Sequence, residues 1–164
     1  METRDIELML MRTWPAIEER TYDGWVLRFS RGYTKRSNCI NPLYESYFDL
    51  EEKFEYCRKI YKEKRLPIIY KLIDTKVSLM VDEFLEKKGL KKQDMVTVKE
   101  IDLTDVDYNL KSISINWGFS KEWYDFYTAE NNLNTEEKDI LKKLLEKNDK
   151  NSVYVYKSIN NEII

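Results

Sequence analysis

A chain of 164 residues, 42% of them hydrophobic, is long enough to bury one domain, or a small domain and part of a second. Its 12 tyrosines, 4 tryptophans and 6 phenylalanines exclude a disordered chain, which lacks the apolar surface to offset its entropy. The 28 basic and 30 acidic residues leave a formal net charge of −2, too little to gather phosphates, so nucleic acid is excluded as a partner.

Histidine is absent altogether. That removes the commonest general base, the usual zinc ligand and every Ser–His or Cys–His nucleophile, leaving carboxylates, Tyr, Cys, Lys and backbone groups for any chemistry. Cys39 and Cys57 are too few and too far apart for a zinc pattern. Reduced thiols, no secretory signal and no apolar run of about 18 residues predict a soluble, cytoplasmic protein.

Residues 4–12 place Ile6, Met9 and Leu10 at helical spacing. Trp14-Pro15 interrupts that helix, because proline lacks the amide donor and clashes with the preceding turn, and a short turn follows through Ile17. Asp23-Gly24 introduces Trp25, Leu27 and Phe29 alternating with Val26, Arg28 and Ser30. This is a strand pattern, with Lys35 to Asn41 as its hairpin partner and Gly32 in the turn.

Asp49 reads as an N-cap with Glu52 three residues on, so that Leu50, Phe54, Cys57 and Tyr61 mark the inner face of a helix to about Lys64. Pro67 ends it and opens a strand from Ile68 to Ile73. Asp74-Thr75 announces a second helix that buries Val77, Met80, Val81 and Phe84 and stops at Gly89. A strand from about Met95 to Leu103 closes this part. The basic clusters Lys62–Arg65 and Lys87–Lys92 suit solvated helix C-termini.

Residues 1–104 thus form an α+β layer, helices covering a sheet. After the polar stretch Thr104 to Asn109 the pattern restarts over 105–164: strand Lys111 to Asn116, helix Ser120 to about Glu130, helix Thr135 to Glu146, strand Val153 to Lys157, and a turn at Asn160-Asn161. Ile163-Ile164 then reads as an apolar strand start without a partner. Such an open edge predicts a fragment of a longer protein and a homodimer by strand-edge pairing.

The segment Asp23-Gly24-Trp25-Val26-Leu27-Arg28, then Gly32-Tyr33-Thr34-Lys35-Arg36-Ser37-Asn38-Cys39-Ile40-Asn41-Pro42-Leu43, resembles a bacterial family of GNAT-type N-acetyltransferases written D-G-W-x-L-R and G-x-T-x-R-x-N-S-x-x-P-L. Trp14-Pro15-Ala16 upstream and Leu66-Pro67 downstream extend the resemblance over essentially the whole chain. Cys39 departs from it, standing where the family usually has Ser. The resemblance implies a GNAT-like mixed sheet flanked by helices: a degenerate N-terminal domain at 1–104, and at 105–164 the opening strand-helix-helix-strand of a truncated catalytic domain. The chain is accordingly read as the N-terminal portion of an enzyme that transfers acetyl from acetyl-CoA to an amine, the missing C-terminal GNAT half being its implied partner.

Enzymes of that type hold the CoA pyrophosphate on the backbone amides of an R/Q-x-x-G-x-G/A loop at a helix N-terminus. The only glycines here are Gly24, Gly32, Gly89 and Gly118, no two of them two residues apart. No cofactor is therefore expected in this chain, acetyl-CoA belonging to the intact enzyme, and no catalytic residue or metal ligand is assigned.

By the same resemblance Arg28, Tyr33, Arg36, Asn38, Trp123, Tyr124 and Tyr127 are candidates for a substrate groove. For Arg28, Arg36 and Asn38 a second reading stays open, that they bond local carbonyls and fix the hairpin. Trp123, Tyr124 and Tyr127 lie on a helix that either borders the acceptor or packs in the core. Cys39 reads as a small buried hydrophobe. The alternative to an enzyme part is a noncatalytic interaction or specificity module docking a partner through its open strand edge.

Overall fold

The computed structural model describes residues 2–102, 104, 113–148, 152–159 and 162–163. The architecture is α+β, as expected. In chain order it runs α1 (Thr3–Thr13), β1 (Glu18–Tyr22), β2 (Trp25–Phe29), a 3-10 turn (Lys35–Ser37), β3 (Ile40–Pro42), α2 (Leu50–Glu63), α3 (Lys76–Lys87), β4 (Ile113–Trp117), α4 (Lys121–Glu130), α5 (Thr135–Lys147), β5 (Val153–Ile159) and β6 (Glu162–Ile163). Two antiparallel three-stranded sheets result, ordered β1-β2-β3 and β4-β5-β6.

β2 is buried on both faces. Trp25, Leu27 and Phe29 pack against Phe54, Cys57, Ile60 and Tyr61 of α2 and Val81 and Leu85 of α3, while Val26 meets Met11 of α1 on the opposite side. Each such large side chain withdrawn from water contributes about 1.5–3 kcal/mol before entropy is counted. The strand therefore anchors a helix layer on each face, and the loop that follows it leaves from a rigid support.

Local chemistry explains most element starts. Asp49 accepts from the Glu51 amide, Thr75 from Ser78, Ser120 from Trp123, and Asn134 forms a full capping box with Glu137. Asp23-Gly24, with φ of 42° and 78°, makes the two-residue hairpin turn between β1 and β2. A Cβ on Gly24 would lie 2.4 Å from the Glu45 carbonyl oxygen, so only glycine fits there.

Several expectations are corrected. The hairpin partner of β2 on one side is β1, whose polar Glu-Glu-Arg-Thr-Tyr sequence is that of a solvated edge; on the other it is β3, which begins only at Ile40. Lys35 to Ser37 coil instead into the 3-10 turn. The strand expected over Ile68 to Ile73 reduces to one parallel bridge, Ile40 with Tyr70. Residues 95–102 carry no strand and stand exposed, having no ladder partner among the described residues. On α3 the buried positions are Ser78, Val81 and Leu85, and Met80 faces solvent.

Ile163 is not unpartnered: it pairs with Ser158 of β5, next to the pair of Glu162 with Ile159. Leu103, residues 105–112, the Asn160-Asn161 turn and Ile164 lie outside the described residues.

Candidate functional site

Arg28 leaves the buried strand β2 toward α1 and is itself only 2% exposed. Its guanidinium donates to the carbonyls of Met11 (3.1 Å), Trp14 (2.7 Å) and Arg36 (2.7 Å) and to the Glu19 carboxylate (2.9 Å). The fork geometry of arginine suits this use, because carbonyls near the C-terminal end of a helix carry partial negative charge and would otherwise be unsatisfied. Arg28 thus fastens the end of α1, the edge strand and the 3-10 turn to one point.

The loop from Arg31 to Asn38 sits directly above it. Arg31, Gly32 and Thr34 all have positive φ, 52°, 86° and 59°, a conformation that a β-branched residue adopts only when its surroundings impose it. Asn38 imposes it from within: its side-chain oxygen accepts from the amides of Ser30 (2.7 Å) and Gly32 (3.0 Å), and its nitrogen donates to the carbonyls of Tyr33 and Thr34 (2.8 Å each). The Trp14 indole donates to the Thr34 hydroxyl at 3.0 Å from the other side.

What this held loop presents is Tyr33. Its ring is buried against Ile140, Leu141, Leu144 and Leu145 of α5 and Tyr154 of β5, with Trp123, Tyr124 and Tyr127 of α4 packed on the same cluster. Trp123 stacks on Tyr127 at 4.8 Å between centroids and meets Tyr154 at 5.2 Å. Burial, then the charge and hydrogen bond of Tyr127, push the Tyr33 phenol well above its ordinary value. Burial also raises Tyr124, whose hydroxyl donates to the Lys138 carbonyl at 2.9 Å. Both rings stay neutral and act as dipoles and apolar walls.

Of the seven groove candidates, the structure brings Tyr33, Trp123, Tyr124 and Tyr127 together. Arg28 and Asn38 instead bind backbone carbonyls and amides, and Arg36 stands exposed while its carbonyl accepts from Arg28. The sequence reading missed Tyr154 and Phe119; Phe119 packs against Tyr124 at 5.6 Å. The alternation of Tyr154 with Val153 and Val155 signals one ring turned inward, but which cluster receives it depends on a contact distant in sequence.

Cys39 is buried, and burial raises its thiol above the ordinary range. No group of residues among those described could hold a metal ion, and no described helix is long and apolar enough to cross a membrane. An open hollow of about 470 Å³ exists elsewhere, over Glu55, Tyr56, Arg58, Lys59 and Lys62 of α2, without converging polar groups of a catalytic kind.

A diphosphate needs free backbone amides at a helix N-terminus. The N-termini of α2, α3, α4 and α5 each have a first-turn amide held by a capping side chain, and α1 opens with Glu2 and Asp5, which repel an anion. Gly118 precedes the Ser120 cap by two residues, yet its amide donates to the Ser152 carbonyl at 2.9 Å. The described residues do not fit a CoA pyrophosphate at any of these helix starts.

No curated protein and no solved structure matches the chain. A family model does match, over residues 1–146, and it is that of a C-terminal region, which corrects the reading of the chain as an N-terminal portion. With the held loop, α4 and nearly all of α5 inside that match, the chain belongs to the acetyltransferase-related family described as "Probable histone acetyltransferase Rv0428c C-terminal".

Proposed function

We propose that the chain is the acceptor-binding part of an acetyl-CoA-dependent N-acetyltransferase of the GNAT type, and that residues 1–164 alone do not hold the cofactor. The observation that carries this reading is the aromatic wall of Tyr33, Trp123, Tyr124 and Tyr127, assembled from a strained loop and a helix nearly ninety positions apart in sequence. Strain concentrated on a loop that delivers one ring to a half-buried wall marks a place where geometry matters more than stability. The family supports acetyl transfer, and its description extends to histones, so a lysine side chain in a basic peptide is the acceptor class we infer.

The faces of Trp123 and Tyr127 that are turned away from their mutual stack suit such an acceptor. An ammonium over an aromatic face gains about 0.5–2 kcal/mol, depending on how far it is desolvated. Arg28 and Asn38 serve as positioning residues in this reading, and the contacts to acetyl-CoA come from polypeptide other than these residues, the cofactor-binding GNAT half. The capped helix starts support that division.

Two measurements test it. Calorimetry of the 164-residue chain with acetyl-CoA is expected to show no binding at micromolar cofactor, because losing three amide–phosphate bonds weakens affinity roughly a thousandfold. A clear micromolar constant refutes the division of labour. In the intact enzyme Trp123→Leu is expected to raise KM for a lysine peptide severalfold, with the smaller effect on kcat; an unchanged KM removes the wall from the acceptor site.

A second reading, a noncatalytic interaction module, is favoured by one observation: the outer face of β4 and β5 is apolar and uncovered by the described residues.

A further inference from the structure

A sheet with one face on the core normally turns polar side chains to water on the other. The β4–β5 pair does the reverse. Asn116 and Tyr156, joined by a 2.9 Å hydrogen bond, and buried Tyr154 lie on the inner side, whereas Ile113, Ile115, Trp117, Val153 and Val155 line the outer one. Trp117 is 81% exposed and Val155 55%. Apolar patches beyond a few hundred Å² are rare on monomers, and this one, on the order of 500 Å², is contiguous across two strands.

We infer that this face is the interface of a symmetric homodimer in which two β4–β5 sheets stack on each other. Three features select a second copy as the occupant. Two such faces together remove on the order of 1,000 Å² from water, the lower bound for a biological interface and the size of a concentration-dependent one. An apolar face is self-complementary, as a two-fold interface requires, since the described side chains at its centre, Ile115 and Val155, carry no charge to repel their own image. Among the described side chains of this face the charged one, Lys157, sits opposite Ile113 at one end, and Trp117 sits opposite Val153 at the other.

A two-fold axis lying between the sheets and across the strands reverses their direction. It sets Ile115 and Val155 on their counterparts at the centre, and it carries Lys157 of each copy over Val153 of the other, beside the Trp117 ring that pairs with Val153, within reach of a cation–π contact. This arrangement does not depend on acetyl transfer, and it differs from edge pairing, in which ladder hydrogen bonds rather than side chains join the copies.

Sedimentation equilibrium of the 164-residue chain tests it. A concentration-dependent dimer is expected, weakened at least tenfold by Ile115→Lys, which places like charges face to face at the centre. Val155→Cys is expected to cross-link two copies on mild oxidation, the native thiols of Cys39 and Cys57 being buried. If Ile115→Lys fails to fold by circular dichroism, exposed Lys157→Glu decides, with severalfold weaker association expected. A strict monomer at every concentration, a dimer that these substitutions leave unchanged, or a monomeric Val155→Cys chain whose new thiol resists alkylation because its own polypeptide covers it, each overturns the inference.

Discussion

The ammonium of Lys53 lies 3.1 Å from the carboxylate of Asp23, both withdrawn from solvent, and 4.3 Å from the centroid of the Trp25 ring. It also donates to the Asp23 carbonyl, so the turn between β1 and β2 is fixed from α2. Burial pushes the Asp23 carboxyl up, but the Tyr47 and Phe48 amides and Lys53 outweigh it and hold it below the ordinary carboxylate range.

Lys53→Ala removes the counter-ion of this carboxylate and the ammonium over the Trp25 ring, and is expected to lower stability, read as a fall in urea midpoint. The lowered Asp23 pKa also sets a pH dependence. Its contribution is fully present above the unfolded carboxylate value of about 4 and disappears as pH falls through the lower folded value. Asp23→Asn is expected to flatten that part of the acid unfolding curve; an unchanged slope contradicts the assignment.

Arg28→Lys keeps the charge but loses the fork that reaches three carbonyls at once. A loss of about 3 kcal/mol or more is expected from thermal or chemical unfolding. Because these bonds are internal, acceptor KM in the intact enzyme is expected to follow loop order rather than charge, so Lys at 28 should do no better than Met.

Both thiols should be inert in the folded chain. Burial raises Cys39 and pushes Cys57 up to about 12, leaving almost no thiolate at pH 8. A thiol reagent at that pH is expected to modify neither until urea unfolds the protein, whereas fast native labelling of Cys39 would give it a reactive role.

Gly24→Ala puts a methyl 2.4 Å from the Glu45 carbonyl oxygen at a φ of 78°. The conformational penalty alone is about 1–2 kcal/mol, and the clash adds to it. Thermal unfolding checks this: a variant as stable as the parent would mean that the segment at Tyr44 and Glu45 gives way easily.

Short-range chemistry was legible in the sequence wherever a side chain meets its own neighbourhood. The caps Asp49, Thr75 and Ser120, the breaks at Pro15 and Gly89, and the apolar face of α2 depend on residues a few positions apart. β1 was not legible, because an edge strand of Glu, Arg and Thr has no apolar alternation to show. The pattern over 95–102 has the alternation but no ladder partner among the described residues. At the candidate site the spacing of Trp123, Tyr124 and Tyr127 marks one helix, and backbone bonding by Arg28 and Asn38 was one of the two readings the hairpin left open, but only folding reveals that Tyr33 reaches the helix.

The end of α5 is latched to the beginning of the chain: Lys147 donates to the Ala16 carbonyl at 2.6 Å and Asn148 to that of Arg12 at 2.8 Å. Closing ligatures between segments more than 130 positions apart is entropically slow, so late docking of α4 and α5 should limit the rate of refolding. The same latch lets the protein survive a cut. Trypsin acting at exposed Lys91, Lys92 or Lys99 should yield two pieces that still travel together through a sizing column and part only in denaturant.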